Sequence, residues 1–202
     1  ADPGSFGDLE PAPLPERPHA SQPPARPFTL EQLSLLAQGH PQMRSVLQKR
    51  MDQLRRIKEL WVRGNLSSLP ELLQAQDHAV LCDFARSVMK QTLENTLDLD
   101  ACQCLLGLVR EPMVSKYDDF AVVSFKFAEA LLQCFGELIS ETRRSCAKIP
   151  ERQLDFAREE RLRKCDACYE HFREISRLLP ESRLASRFGG FRQSLHIFLQ
   201  RS

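Results

Sequence analysis

This chain of 202 residues lacks several features that define common protein classes. Its eight glycines are scattered or lie towards the ends, so there is no glycine-rich loop to cradle a phosphate. Its uncharged apolar runs fall far short of the roughly 20 residues that a membrane-spanning helix needs. The net charge is only +1, which gives the molecule as a whole no strong electrostatic preference for a partner.

Catalytic motifs are also missing. The sequence contains no Gly-x-Ser-x-Gly and no His-Glu-x-x-His, and no pair of carboxylates stands out from the charges of the predicted helices. Seven cysteines, an odd number spread along the chain, do not form the framework of a small disulfide-rich protein, and they favour free thiols in a reducing compartment. We therefore expect a protein without enzymatic activity and without a cofactor.

Proline is concentrated at the start of the chain. Residues 1–28 hold eight of the thirteen prolines, and proline at this density interrupts helices and sheet ladders. Residues 1–5 have the sequence of a leftover from an expression vector, and no apolar stretch marks a signal peptide. We predict a disordered or extended tail over 1–28 and a folded domain over 29–202.

The folded part shows the punctuation of helices. Thr29 and Gln32 fit a capping box for a short helix that ends near Gly39, and Pro41 suits the start of a long amphipathic helix that ends at Gly64. Asp77, and Asp98 or Asp100, suit the caps of later helices. The further helices are predicted over about 67–76, 77–93, 98–112, 115–139, 150–179 and 191–200.

These helices define the predicted fold class. Residues 115–139 are rich in Phe and apolar on nearly every face, so this segment is the predicted central buried helix. No run alternates apolar and polar residues as a half-buried strand does, so strands are not expected. We predict an all-α fold, a compact, irregular, solenoid-like array of about six to eight helices joined by short loops.

Positive charge is concentrated in the long amphipathic helix. Between residues 44 and 63, seven basic side chains face only Asp52 and Glu59, a balance of +5. Such a stripe attracts acidic partners, although it is also typical of a merely solvated helix face. Aromatic residues do not interleave with these charges for base stacking, and the apolar side of the helix is needed for packing, so neither nucleic acid nor membrane is expected. An acidic protein surface is the favoured target.

Cys165 and Cys168 form a Cys-x-x-Cys motif, with His171 three residues further on. A structural zinc site needs a second pair of ligands at knuckle spacing, and a redox motif follows a strand. Here the motif lies in a helical segment, which favours ordinary core cysteines, while the helical register still keeps the three side chains near one another. A small metal-binding or redox domain therefore remains an alternative.

The segment 158–169 reads Arg-Glu-Glu-Arg-Leu-Arg-Lys-Cys-Asp-Ala-Cys-Tyr. It resembles the C-terminal helical domain of the katanin regulatory subunit family, the WD-repeat-containing, non-catalytic partners of a microtubule-severing ATPase. Three further blocks agree in order and spacing, and together they extend the resemblance over about residues 40–200. These blocks are Leu54 to Trp61, Ser115 to Tyr117 with the Phe-rich helix that follows, and Ser194 to Leu199.

The resemblance implies a non-enzymatic adaptor domain. It would bind the N-terminal helical module of the katanin catalytic subunit and help to target it to microtubules or spindle poles, with spindle-pole or minus-end proteins as further partners. The implied location is cytoplasmic and cytoskeletal, at microtubules, the centrosome or spindle pole, or the base of a cilium. The residues expected to contact a partner are Trp61, Arg158, Arg161, Tyr169 and Phe172, of which the three aromatic ones could equally face the core.

The same resemblance makes tubulin the acidic surface expected for the basic stripe, because tubulin presents acidic tails. The residues expected to bind microtubules are Arg50, Arg55, Arg56 and Arg63. The alternative is a helical scaffold of the centrosome or cilium that binds another protein, without katanin.

Overall fold

The structure is a computed structural model that describes residues 29–63, 68–74, 77–90, 97–147 and 155–201. Over these ranges it contains helices and no strand, which confirms the predicted all-α class. The helices are α1 (Leu30–Val62), α2 (Leu69–Gln74), α3 (His78–Val88), α4 (Leu99–Met113), α5 (Asp118–Ala147), α6 (Phe156–Glu181) and α7 (Gly189–Arg201). The predicted tail over 1–28, the predicted stop at Gly64 and the predicted start at Pro150 lie outside the described residues.

The chain divides into two units, Ala1–Met43 and Arg44–Ser202. In the first, the Thr29 amide donates to Oε1 of Gln32 at 3.0 Å and the Gln32 amide donates to Oγ1 of Thr29 at 3.3 Å, which confirms the capping box. The predicted break between Gly39 and Pro41 is wrong, because α1 is continuous with Pro41 inside it. The φ angle of proline already suits a helix, so Pro41 removes a single hydrogen bond from a long exposed helix.

Aspartate side chains cap three helices of the second unit. Each accepts a hydrogen bond from a backbone amide in the first turn, which satisfies a donor that has no partner within the helix. The caps are Asp77 on the Ala79 amide at 3.3 Å, Asp98 on the Ala101 amide at 2.8 Å, and Asp155 on the Ala157 amide at 3.1 Å. The predicted cap at Asp77 is confirmed, and of the two candidates for α4 the structure selects Asp98. The cap at Asp155 was not predicted from the sequence.

The core lies where α4, α5 and α6 pack against one another, with α7 against α6 and α5, α3 against α5 and α2 against α4. The predicted central helix is confirmed in α5, whose Phe125, Phe127 and Leu131 are fully buried. Phe120, expected in the core, is only partly buried because it lies in the first turn of α5, at the edge of the body. Burial on this scale supplies the main favourable term in folding.

Two predicted helices differ clearly from the structure, because α5 continues to Ala147, eight residues past the predicted end, and α3 already ends at Val88. Other predicted helix ends are shifted by one or two residues. The helices α4 and α6 continue one residue past Pro112 and Pro180, and α7 begins at Gly189 instead of Phe191. Helix termini commonly differ by this much, and two glycines in a first turn do not prevent helical geometry. None of the helices in the described ranges combines the length and the hydropathy that a membrane-spanning segment requires.

Candidate partner-binding surfaces

The C-terminal half of α1 packs against the body of the second unit. Ile57 is only 2% exposed, and Leu54 is partly buried against the same core. The Trp61 ring meets Phe84 of α3 edge to face, with ring centroids 5.6 Å apart. Trp61 therefore contributes to packing while its side chain keeps some contact with solvent.

The same side of α1 continues towards its N-terminus without cover. Leu47 lies seven residues before Leu54, at a spacing that keeps side chains on one face of a helix. Yet Leu47 is 52% exposed, and its neighbours Val46 and Met51 are 66% and 56% exposed. We call these three residues the α1 apolar face. Grouped apolar side chains on the surface of a soluble protein are typical of an interaction site.

Arg50 fixes α1 to α3 beside this face. Its Nε donates to Oδ2 of Asp83 at 2.7 Å, and its Nη2 donates to the Ala79 carbonyl at 3.4 Å. Asp83 also accepts from Nη1 of Arg86 at 3.4 Å. These contacts hold α1 against α3 at the edge of the body. The turns that carry the α1 apolar face are therefore anchored at Arg50.

The basic residues predicted to bind microtubules occupy different environments. Arg50 is held by Asp83, and Nη1 of Arg55 lies 3.1 Å from Oδ1 of Asp52 within α1. Arg56 and Arg63 are exposed and form no ion pair with any of the described residues.

Lys49 joins Arg56 and Arg63 on one face, because the three positions are seven residues apart. Lys49 is also exposed. We call Lys49, Arg56 and Arg63 the outer basic face, which lies opposite the packed side of α1. Sequence reasoning included Lys49 in the charge balance without selecting it as a binding residue, although the seven-residue spacing could have identified it.

Arg158 and Arg161 lie beside a cleft of about 490 Å³ between α5 and α6. Nη2 of Arg158 donates to the Ser145 carbonyl at 3.3 Å, and its Nε lies 3.3 Å from Sγ of Cys146. Arg158 thus connects the start of α6 to the end of α5. Arg161 is exposed on the next turn and pairs with no carboxylate of the described residues. A role for either residue in binding a partner remains a prediction.

Tyr169 and Phe172 both face the body. Phe172 is fully buried, with its ring 5.3 Å from that of Phe198, so its side chain belongs to the core and is not available at the surface. Tyr169 is half-buried, and its hydroxyl donates to the Leu199 carbonyl at 3.4 Å. The Arg143 guanidinium lies 3.6 Å from the Tyr169 ring centroid, which leaves that ring little free surface.

The cysteine motif is part of the core. Cys165, Cys168 and Cys102 are fully buried, and Sγ of Cys168 lies 4.0 Å from the Leu99 carbonyl. A hydrogen bond with the Cys168 thiol, together with burial, raises the pKa of the Cys102 thiol. In the part of the chain that the structure describes, no group of three or more His, Cys, Asp or Glu side chains is placed to hold a metal ion.

The fold and these surfaces define an all-α domain that presents one apolar and one basic helix face to solvent. The family model described as the con80 domain of katanin matches residues 38–197, so the chain belongs to this family. The resemblance found in the sequence is thereby confirmed.

Curated relatives agree with this assignment. The "Katanin p80 WD40 repeat-containing subunit B1" of Xenopus tropicalis is 28% identical over 171 residues, which cover 84% of this chain and 25% of that protein. The Gallus gallus protein of the same name has the same identity and coverage. The Danio rerio protein is 27% identical over 151 residues, 74% of this chain and 21% of its own length. The chain thus spans about a quarter of the length of these relatives.

Proposed function

We propose that this chain is a non-enzymatic adaptor domain that binds the N-terminal helical module of the katanin catalytic subunit through the α1 apolar face. The observation that carries this proposal is the continuity of one helix side. That side is packed at Ile57 and exposed at Leu47, with Arg50 holding the helix between them.

A helical partner suits the geometry of α1. Its exposed apolar residues recur at helical spacing, so another amphipathic helix can lie along them and extend the packing that Leu54 and Ile57 already make. Trp61 lies further along the same side, beyond the packed Leu54 and Ile57, and its ring packs against Phe84, so it supports α1 from within the body. Binding would then cover the exposed apolar side chains of α1.

The outer basic face provides a second function on the opposite side of α1. Lys49, Arg56 and Arg63 can attract the acidic tails of tubulin through screened, exposed charges, while the α1 apolar face holds the ATPase module. The adaptor would thereby help to bring the severing subunit to microtubules or spindle poles. This function requires a cytoplasmic, cytoskeletal location, where spindle-pole or minus-end proteins are further partners.

The α1 apolar face can be tested with one pair of matched variants. Leu47→Asp places a charge on the face, whereas Ser45→Asp places the same charge on the opposite side of the same helix. Binding of the full chain to the purified helical module of the katanin ATPase is measured by isothermal titration calorimetry. We expect Leu47→Asp to weaken the affinity by about ten-fold or more and Ser45→Asp to change it by less than about two-fold.

Two results would contradict the proposal. If the wild-type chain does not bind the ATPase module, the chain is a scaffold for another protein, such as one of the centrosome or cilium. If the module binds but both variants retain wild-type affinity, binding uses a surface other than the α1 apolar face. Unchanged melting temperatures of the two variants exclude unfolding as the cause of any loss.

A further inference from the structure

A groove of about 390 Å³ lies between α5 and α7. The two helices run in the same direction. Phe188, just before α7, contacts Phe125 near the start of α5, with ring centroids 5.2 Å apart. Further along, a methyl group added at Gly136 of α5 would lie 3.6 Å from the Phe198 ring of α7. This is an ordinary van der Waals distance, so α7 lies directly against α5 at the base of the groove.

The groove combines an apolar floor with charged walls. The floor is formed by Leu132, Gly136 and Phe198, and Ile197 stands at its rim with 41% of its surface exposed. The walls carry Glu129 and Glu137 in the middle of α5, and Arg144 and Arg201 in the last turns of α5 and α7. We call these residues together the α5–α7 groove.

The charges of the groove are separated along its length. Glu129 and Glu137 form no ion pair with the described residues, in contrast to Asp83, Asp166 and Glu174, which pair with arginines elsewhere on the body. Within the described ranges, Arg144 pairs with no carboxylate and donates to the backbone carbonyl of Ser140 at 3.3 Å. Arg201 pairs with no carboxylate in the described ranges. Glu129 thus lies at one end of the groove and Arg144 at the other, with Glu137 between them, eight positions from Glu129 and seven from Arg144.

The basic and acidic side chains of the groove differ in what their charges do for the fold. Arginines in the last turn favour their own helices, because the C-terminus of a helix carries a partial negative charge. Glu129 and Glu137 lie in the middle of α5, where the helix dipole gives them no such role. Their unpaired carboxylates beside an exposed Ile197 are what a partner with complementary charge would contact.

We propose that the α5–α7 groove binds an amphipathic helix of a second partner protein, distinct from the ATPase module that we assign to α1. The bound helix runs antiparallel to α5 and α7. Its first turn is acidic and meets Arg144 and Arg201, and its last turn is basic and meets Glu129. A further basic residue near the middle of the helix meets Glu137, and an apolar stripe lies on Ile197 and Phe198.

The length and polarity of the groove support this occupant. Glu129 and Arg144 are fifteen positions apart in α5, which corresponds to roughly 22 Å at 1.5 Å per residue, or about four helical turns. Acidic residues at the start of a helix and basic residues at its end also stabilise that helix through its own dipole. The groove therefore favours a helix with acidic residues at its start and basic residues at its end, which is an arrangement that also stabilises the helix itself.

Two synthetic peptides of about 14 residues test the proposal. They share one composition and one leucine stripe, but one has glutamates in the first turn and lysines in the last, and the other has the reverse order. Binding of each fluorescently labelled peptide to the full chain is measured by fluorescence polarisation at low ionic strength. We expect the acid-first peptide to bind about ten-fold more tightly than the reversed peptide.

Substitutions on the protein then locate the site. The double variant Glu129→Lys, Glu137→Lys should remove or invert the preference for the acid-first peptide. Glu59→Lys on α1, an exposed glutamate without an ion pair in the described residues, should leave it unchanged. Ile197→Ser, which alters only an exposed rim residue, should weaken both peptides without a change in melting temperature. It provides a second test if the double variant does not fold.

Several outcomes overturn the proposal. Equal affinity for the two peptides, absence of binding, or an unchanged preference in the double variant would each do so. Displacement of the peptide by the ATPase module would assign the groove to that module instead. If the chain alone sediments as a dimer that Ile197→Ser dissociates, a second copy of the chain occupies the groove.

Discussion

The two longest helices, α1 and α5, have similar lengths and opposite surroundings. They contain 33 and 30 residues, and both carry apolar side chains at helical spacing. Phe125, Phe127 and Leu131 of α5 are fully buried, whereas Leu47 and Val46 of α1 are exposed. An amphipathic pattern thus predicts that one face of a helix is buried. It does not show whether that face packs against the same chain or against another protein.

The difference also separates the two tasks of apolar side chains in this protein. Those of α5 stabilise the fold, because their burial removes apolar surface from water at about 25 cal/mol per Å². Those of the α1 apolar face contribute little to the fold, since water still contacts them. Substitutions in the core of α5 should therefore lower stability, whereas substitutions in the α1 apolar face should weaken partner binding.

The largest effect on stability is expected in α5. Phe127→Ala should lower the free energy of unfolding by about 3–5 kcal/mol, because it removes a fully buried aromatic side chain and leaves a cavity. Leu47→Ala in α1 should change it by less than about 0.5 kcal/mol, as is usual for an exposed position. Urea denaturation of both variants measures the contrast. A Phe127→Ala protein with an unchanged midpoint would contradict the placement of the core.

A smaller effect is expected at the junction of α1 with the body. Arg50→Ala should cost about 1 kcal/mol, because its contact with Asp83 is charge-assisted but still partly exposed to solvent. A double-mutant cycle with Asp83→Ala should give a coupling energy of similar size. Additive losses would show that the pair does not hold α1 to α3. A measured coupling would instead distinguish Arg50, which is held by Asp83, from Arg56, which is unpaired among the described residues, in any test of microtubule binding.

Acid should destabilise the body through His171 of α6. Burial, aided by the charge of Arg110, lowers the pKa of His171 below its usual value, while the nearby Glu174 opposes the shift. The unfolded chain therefore binds a proton first, so stability should fall as the pH drops below about 6.5 and approaches the folded pKa. The loss levels off below that pKa.

The control for this measurement is His171→Gln, which removes the titrating group. The melting temperature of this variant should decline less between neutral and mildly acidic pH than that of the wild-type protein. Parallel pH profiles of the two proteins would mean that His171 does not contribute. Since His171 lies in the body, partial unfolding of α1 should not change how the melting temperature depends on pH.

The smallest effect on stability is expected for the outer basic face. Replacing Lys49, Arg56 and Arg63 together with Glu should leave the melting temperature nearly unchanged, because these side chains are exposed and form no ion pairs with described residues. Co-sedimentation with microtubules should be lost, and wild-type binding should weaken with salt as the Debye length shortens from about 10 Å at 0.1 M to about 3 Å at 1 M. If the triple variant co-sediments with microtubules to the same extent as the wild-type protein, the outer basic face is not the microtubule-binding site.

Local features were the most predictable from the sequence. The capping box at Thr29 and the cap at Asp77 depend on residues within three positions of each other, and both are confirmed. The all-α class and the buried Phe127 follow from a periodicity that packing reinforces. The predicted break at Pro41 was wrong because the local effect of one proline did not outweigh the cooperative hydrogen bonding of a long helix.

Features that depend on distant residues were not predictable. Arg50 and Arg55 look alike in sequence, but only Arg50 meets Asp83, which is 33 positions away. Likewise, Phe172 has the same helical surroundings in sequence as Tyr169, and only the packing of α7 shows which is fully buried. The α5–α7 groove required two helices that are separated by all of α6 to lie side by side.

The buried thiols of α4 and α6 can be used to measure transient opening of the folded body. Cys102, Cys165 and Cys168 are inaccessible in the folded state, so an alkylating reagent can reach them only in molecules that have opened. Their labelling rates then measure how often the body opens, without any introduced probe. The described part of α1 contains no cysteine, so local fraying of that helix leaves no trace in the labelling kinetics.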